Sequence, residues 1–139
     1  MSKAISFAWT TPALVAGRKT CTCRDWDDDY AQRFRAGDVI AAYDRSPRYG
    51  GTQIATLRLT HDATYGRLID VLGGFDAAYE AEGFAYGDEQ VAAGNDRMRK
   101  AIERNLGVEP GETLRDWLHQ TAMVREWIVR FEVMDEVFG

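Results

Sequence analysis

The chain has 139 residues, of which 45% are hydrophobic and 28% are charged, and its formal net charge is −5. This length and composition are typical of one soluble core, so we predict a single domain over residues 1–139. The negative net charge argues against a protein that coats duplex DNA, because such binding requires many cationic contacts with phosphate.

No stretch of the sequence approaches about 20 consecutive apolar residues, and no apolar run follows a basic start. We therefore expect no membrane span and no signal peptide, and we expect a cytoplasmic protein. Cys21 and Cys23 stand two residues apart in an expected strand, a poor geometry for pairing, so they are interpreted as reduced thiols. The Cys and His spacings typical of zinc sites are absent, and we predict neither a metal nor a cofactor.

The order of apolar residues, glycines and prolines predicts an α+β fold. Strands are predicted over residues 4–9, 20–24, 39–43, 52–60 and 126–138. Helices are predicted over residues 10–16, 27–34, 65–72, 75–82, 88–106 and 113–120.

The segment from Gly17 to Arg24 reads Gly-Arg-Lys-Thr-Cys-Thr-Cys-Arg and joins cationic and hydroxyl side chains at the entry to a strand. A strand alternates its faces, so Thr20, Thr22 and Arg24 share one side. Gly17 can adopt a positive φ, which would let Lys19 turn toward Thr22 and Arg24. The pattern predicts a polar cluster that faces a cleft.

This segment resembles the G-x-K-x-x-E-x-R signature of the ASCH domains, which belong to the PUA-like superfamily. Gly17, Lys19 and Arg24 fit the signature, whereas Thr22 replaces the usual glutamate. The resulting pattern is similar to the small ASCH amidohydrolases that remove the acetyl group from N4-acetylcytidine.

The resemblance implies a PUA-like mixed β-barrel of about five or six strands with helices packed at the barrel openings. It also implies a catalytic set of a lysine, a threonine and a distant glutamate. Lys19 and Thr22 match the first two, Glu82 is the best match for the third, and Glu80 is the alternative. Arg24 would orient the substrate or stabilise oxyanion charge. This chain is longer than the minimal amidohydrolases that it resembles, and the apparent extra helical segments, Asp88 to Leu106 and Leu114 to Thr121, could reshape or cap the pocket.

The charges are unevenly distributed: residues 1–60 hold nine Lys/Arg and six Asp/Glu, whereas residues 61–139 hold eight and sixteen. Arg18 and Arg48, with Tyr49 as a stacking group, are candidates for contacts with a nucleotide or a short single strand. The predicted partner is thus RNA or a nucleoside. Two alternatives stay open beside the amidohydrolase: an RNA-binding module, with Trp9, Trp26 or Tyr49 stacking on bases, and a ribonuclease.

Overall fold

Within residues 3–135, which the computed structural model describes, six strands form one mixed sheet. The strands are β1 (Lys3–Ser6), β2 (Cys21–Arg24), β3 (Val39–Tyr43), β4 (Gln53–Leu59), β5 (Thr64–Arg67) and β6 (Arg125–Asp135). Their order is β1-β3-β4-β6-β2, with β5 also paired to β6. Only the β1–β3 pair among them is parallel. The first half of β6 pairs with β2 and β5 and its second half with β4, so the sheet curls into a half-barrel.

The described helices form a second layer and short connections. They are α1 (Thr11–Val15), α2 (Asp28–Ala31), α3 (Leu68–Leu72), α4 (Phe75–Ala81), α5 (Phe84–Ala92), α6 (Asp96–Leu106) and α7 (Leu114–Thr121). Local sequence defines several ends: Asn95 accepts a hydrogen bond from the Met98 amide, and Thr113 and Asp116 form a capping box. None of these helices is both long and apolar enough to cross a bilayer.

Two groups of buried apolar residues fill the two layers. The half-barrel core contains Phe34, Leu57 and Phe131, among others, and the helical core is built around Phe84, Ile102 and Leu114. A small third group joins Cys21 of β2, Ala81 of α4 and Ile128 of β6. This contact holds the end of α4 against the strand that carries the polar motif.

Two predicted elements were wrong in type over part of their length. Residues 65–72 were predicted as one helix, but Thr64–Arg67 is a strand because its backbone pairs with β6. Only Leu68–Leu72 is helical. The first strand was predicted over residues 4–9, but it ends at Ser6 and Ala8–Thr10 forms a 3-10 turn before α1. In the first case, tertiary pairing overrides a local pattern.

The predicted helix over residues 88–106 is two helices. Gly94, at φ 91°, separates α5 from α6, and α5 already begins at Phe84. The predicted strand over residues 39–43 and the helix near Leu114–Thr121 are confirmed. The closing strand is confirmed to Asp135, and its predicted residues 136–138 lie outside the described part of the chain.

Candidate functional site

A cavity of about 530 Å³ lies between the motif strand and the helical layer. Lys19, Thr22, Arg24 and Glu82 all line it. These residues come from the loop before β2, from β2 itself and from the residue that ends α4. The structure therefore brings together four of the predicted site residues from two distant parts of the chain.

Lys19 is the most deeply buried cation of this group, with only 2% of its surface exposed. Gly17 has φ 74°, as the sequence predicted for the bend before the strand. The Thr20 amide donates to the Ala81 carbonyl at 2.8 Å, and this bond fixes the loop against α4. Lys19 Nζ consequently donates to the Glu82 carbonyl at 2.8 Å and lies 3.7 Å from Glu82 Oε2.

Glu82 follows the last turn of α4 and is 7% exposed. Its carboxylate points inward, where Cys21 Sγ lies 3.9 Å from Glu82 Oε1. Gly83 makes this placement possible: its φ is 84°, and a Cβ there would lie 2.8 Å from Ala13 Cβ. The chain thus turns at Gly83 in a space that only glycine fits.

Glu80, the alternative to Glu82, does not face the cavity. Its carboxylate accepts from Arg18 Nε at 2.6 Å on the outer surface, and Glu89 also pairs with Arg18. The hydrogen bonds that Arg18 donates to Glu89 and Glu80 raise its pKa. Arg18 was a candidate for substrate binding, but its guanidinium is committed to this surface cluster because it points away from its neighbour Lys19.

Thr22 and Arg24 form the polar edge of the cavity. Thr22 is 5% exposed, and its Oγ1 accepts from Arg24 Nε at 3.2 Å. Arg24 also donates from Nη2 to the Ser6 carbonyl at 2.6 Å and lies over the Phe7 ring. Burial lowers the pKa of Arg24. The described strands β1 and β2 are not paired with each other, and this arginine bridges the gap between them.

Arg48 and Tyr49 lie elsewhere, in the 3-10 turn Pro47–Tyr49 at the tip of the β3–β4 hairpin. Neither residue lines the cavity. Tyr49 is 72% exposed. The two predicted binding residues therefore belong to a separate surface, because the hairpin carries them away from the motif strand.

An aromatic wall stands on the helical side of the cavity. Trp9 stacks on Phe84 at 6.2 Å between ring centroids, and Phe84 meets Trp117 edge to face at 5.7 Å. Trp9 and Trp117 both line the cavity. Trp26, the other predicted stacking candidate, packs on Phe34 of the half-barrel core instead.

Sequence reasoning missed two further titratable lining residues, Cys23 and Glu126. Burial, and to a lesser extent the Glu82 carboxylate, raises the pKa of Glu126. Burial also raises the pKa of both Cys21 and Cys23, so the thiols stay protonated at neutral pH. The signal for Glu126 lay in strand alternation along β6, but the register against β2 that places it here is not readable from sequence.

Among the described residues, no group of three or more His, Cys, Asp or Glu side chains is arranged to hold a metal ion. The ionisable and hydroxyl groups of the described lining include Lys19, Arg24, Thr22, Glu82 and Glu126.

No protein-family model and no curated protein matches the chain. Among solved structures, it is similar to the crystal structure of protein EF3133 from Enterococcus faecalis V583, whose family model is DUF984. The TM-score is 0.52 at 20% sequence identity, and the match covers 100% of this chain and 84% of that protein. At this identity the likeness establishes a shared α+β fold and nothing about activity.

Proposed function

We propose that this chain is a PUA-like domain of the ASCH type whose cavity binds a modified nucleoside and hydrolyses the N4-acyl amide of a cytidine derivative. One observation carries the proposal. Lys19, Thr22 and Glu82, the three positions matched to the catalytic set by resemblance, line one cavity although 60 residues separate Thr22 from Glu82.

The size and charge of the cavity favour a small ligand. Its volume of about 530 Å³ is in the range of small-molecule sites, which is roughly 300–1,000 Å³. Its two cations, Lys19 and Arg24, lie beside two acidic residues, Glu82 and Glu126, so the cavity carries no large surplus of positive charge. A strand of RNA would instead require a surplus of cations along its backbone.

Thr22 is the proposed nucleophile. A threonine hydroxyl is too weakly acidic to attack an amide unaided, so it needs both a base and a stabilised alkoxide. The cationic Arg24 already donates to Thr22 Oγ1, and this hydrogen bond favours negative charge on that oxygen. Arg24 is therefore also positioned to stabilise the oxyanion that develops on the adjacent carbonyl.

Lys19 and Glu82 carry the proton in this mechanism. Lys19 Nζ first passes a proton to the Glu82 carboxylate, which lies 3.7 Å away. The neutral amine then accepts the Thr22 proton as Oγ1 bonds to the acyl carbon. The bond from that carbon to N4 breaks, and Glu82 returns its proton to N4, which frees cytidine. Water then cleaves the ester on Thr22, releasing the carboxylic acid and restoring the hydroxyl.

We place this reaction in the cytoplasm. The described cysteines, Cys21 and Cys23, are both free thiols, which is the state that a reducing compartment maintains.

The test is incubation of the purified protein with N4-acetylcytidine, following conversion to cytidine. We expect turnover in the wild type and in Glu80→Gln, whose surface carboxylate serves as the matched control. We expect losses of at least about 100-fold in Glu82→Gln, Lys19→Ala and Thr22→Ala. Equal losses in Glu80→Gln and Glu82→Gln would contradict the assigned roles.

No turnover by the folded wild type would overturn the amidohydrolase. In that event, binding of a short single-stranded RNA that weakens steeply with salt and depends on Arg48 and Tyr49 would instead support the RNA-binding alternative. The ribonuclease alternative would require cleavage products from the same RNA.

A further inference from the structure

Glu126 lines the proposed catalytic cavity but has no part in the proton transfers described above. It lies near the start of β6, opposite Gly66 of β5, and its side chain is half-buried beside Cys23. An acidic group in such a place is costly unless it is neutralised or used.

The cations of the cavity do not neutralise Glu126. Within residues 3–135, no lysine, arginine or histidine nitrogen lies within 4.0 Å of its carboxylate oxygens. Lys19 is held by Glu82, and Arg24 is held by Thr22 and the Ser6 carbonyl. Glu126 is therefore free to meet a ligand.

Burial, together with the carboxylates around it, raises the pKa of Glu126 and so favours its neutral form, although a hydrogen bond with Cys23 acts in the opposite direction. Glu82 approaches from the end of α4 and Asp25 follows β2, and both are carboxylates that repel a second negative charge. Cys23 of β2 keeps its proton, and Gly66 of β5 has no side chain. A neutral carboxyl group offers one hydrogen-bond donor and one acceptor side by side.

We propose that Glu126 recognises the amidine edge of the substrate, donating a hydrogen bond to the ring nitrogen N3 and accepting one from the N4–H of the acylated amine. Cytosine presents an acceptor at N3 beside a donor at N4, and the neutral carboxyl presents the complementary pair. Glu126 is thus a specificity-determining residue, and the assignment rests on the proposed hydrolysis. It selects N-acyl aminopyrimidines over amides that lack the ring nitrogen.

Two variants and two substrates test this role. Glu126→Gln keeps a donor beside an acceptor, whereas Glu126→Ala removes both. The substrates are N4-acetylcytidine and N4-acetyl-3-deazacytidine, in which C–H replaces N3. We expect Glu126→Gln to stay within about threefold of the wild-type kcat/KM on N4-acetylcytidine, and Glu126→Ala to lose about tenfold or more, mainly through KM.

The second substrate separates recognition from a structural role. The wild type should hydrolyse the 3-deaza amide more slowly, and Glu126→Ala should add a smaller loss there, because one of the two hydrogen bonds is already absent. The pH profiles should also differ. Wild-type kcat/KM should fall as pH rises and Glu126 ionises, and Glu126→Gln should lack that component of the fall.

The outcomes distinguish the two proposals. Hydrolysis of N4-acetylcytidine that is unchanged in Glu126→Ala overturns the role of Glu126 and leaves the amidohydrolase intact. A Glu126→Gln variant as impaired as Glu126→Ala would mean that the carboxylate charge is required. That result would also overturn the proposed hydrogen-bonding role of Glu126. Absence of hydrolysis by the folded wild type overturns the amidohydrolase and this assignment with it.

Discussion

At the scale of single residues, the burial of Lys19 has a direct consequence for the stability of the fold. Its ammonium is almost fully removed from water and depends on the Glu82 carbonyl and carboxylate for compensation. Breaking a buried pair by removing one partner commonly costs about 3–5 kcal/mol, because the other charge stays behind without compensation. The contact between Lys19 and Glu82 that serves the proposed chemistry therefore also couples the contributions of these two residues to the free energy of unfolding.

We predict that Lys19→Met lowers the free energy of unfolding by about 3 kcal/mol, since Glu82 loses its partner. Lys19→Met with Glu82→Gln should recover at least about 1 kcal/mol of that loss, because no unpaired charge remains. Urea unfolding of the wild type, both single variants and the double variant measures this coupling. A double variant whose loss equals the sum of the single losses would show that the two side chains are not energetically coupled.

The polar motif could be predicted from sequence because its spacing is local. Gly17 supplies the bend and Thr22 and Arg24 share a strand side, and these relations need no knowledge of distant residues. Glu82 was identified through resemblance. Glu126 could not be found, because its place depends on how β6 pairs with β2 and β5, and that register is set by the whole sheet.

At the scale of elements, the short connection between α4 and α5 determines how the site is assembled. Gly83 ends one helix and begins the next, and its absent side chain leaves room for Ala13 of α1 and for Lys19. A Cβ at this position would lie 2.8 Å from Ala13 Cβ and 3.3 Å from Lys19 Cβ. The missing side chain of Gly83 thus allows α1, the loop before β2 and the α4–α5 connection to pack closely together.

We predict that Gly83→Ala lowers the free energy of unfolding by about 3 kcal/mol and reduces hydrolysis, through backbone strain and displacement of Lys19. Gly94→Ala is the matched control. Gly94 has a similar φ of 91°, but nothing lies within 4 Å of the position of its missing Cβ. Gly94→Ala should lower the free energy of unfolding by about 1 kcal/mol and leave activity unchanged. Thermal unfolding and the N4-acetylcytidine assay compare the two variants, and equal effects would argue against crowding at Gly83.

Element type was predictable where local signals agree with the tertiary structure. Thr113 and Asp116 cap α7, and Leu114–Thr121 is helical as the sequence indicated. The prediction failed at Thr64–Arg67, where the pairing with β6 gives the backbone its hydrogen bonds and removes the need for a helix. A mixed β-barrel of about five or six strands was predicted, and the structure confirms the α+β class with six strands that curl into a half-barrel.

At the scale of the whole molecule, the cavity lies where the half-barrel and the helical layer meet. Each layer has its own apolar core, and the small group of Cys21, Ala81 and Ile128 links them. Residues from both layers line the cavity, including Thr22 on one side and Trp117 on the other. A ligand bound there contacts both cores at once and so stabilises their association.

We predict that saturating N4-acetylcytidine stabilises the Thr22→Ala variant, which should bind without hydrolysis, by about 2.7 kcal/mol at 100 times Kd. Amide hydrogen exchange should slow in α4, α7 and β2, whose residues border the cavity. The centre of β4 should change little, because it already lies in the half-barrel core. Slowing confined to the hairpin around Tyr49 would indicate binding at that separate surface instead.

The pairing of β2 with β6 has a consequence for biosynthesis. Cys21 lies opposite Arg130, so the strand that carries Thr22 and Arg24 meets its described strand partner more than 100 residues later in the chain. During synthesis, the motif strand therefore leaves the ribosome more than 100 residues before its partner strand. Because β6 is synthesised after β2, the edge that carries the proposed catalytic residues is assembled only once β6 has been translated. Until then the growing chain holds the residues of the site but not their geometry.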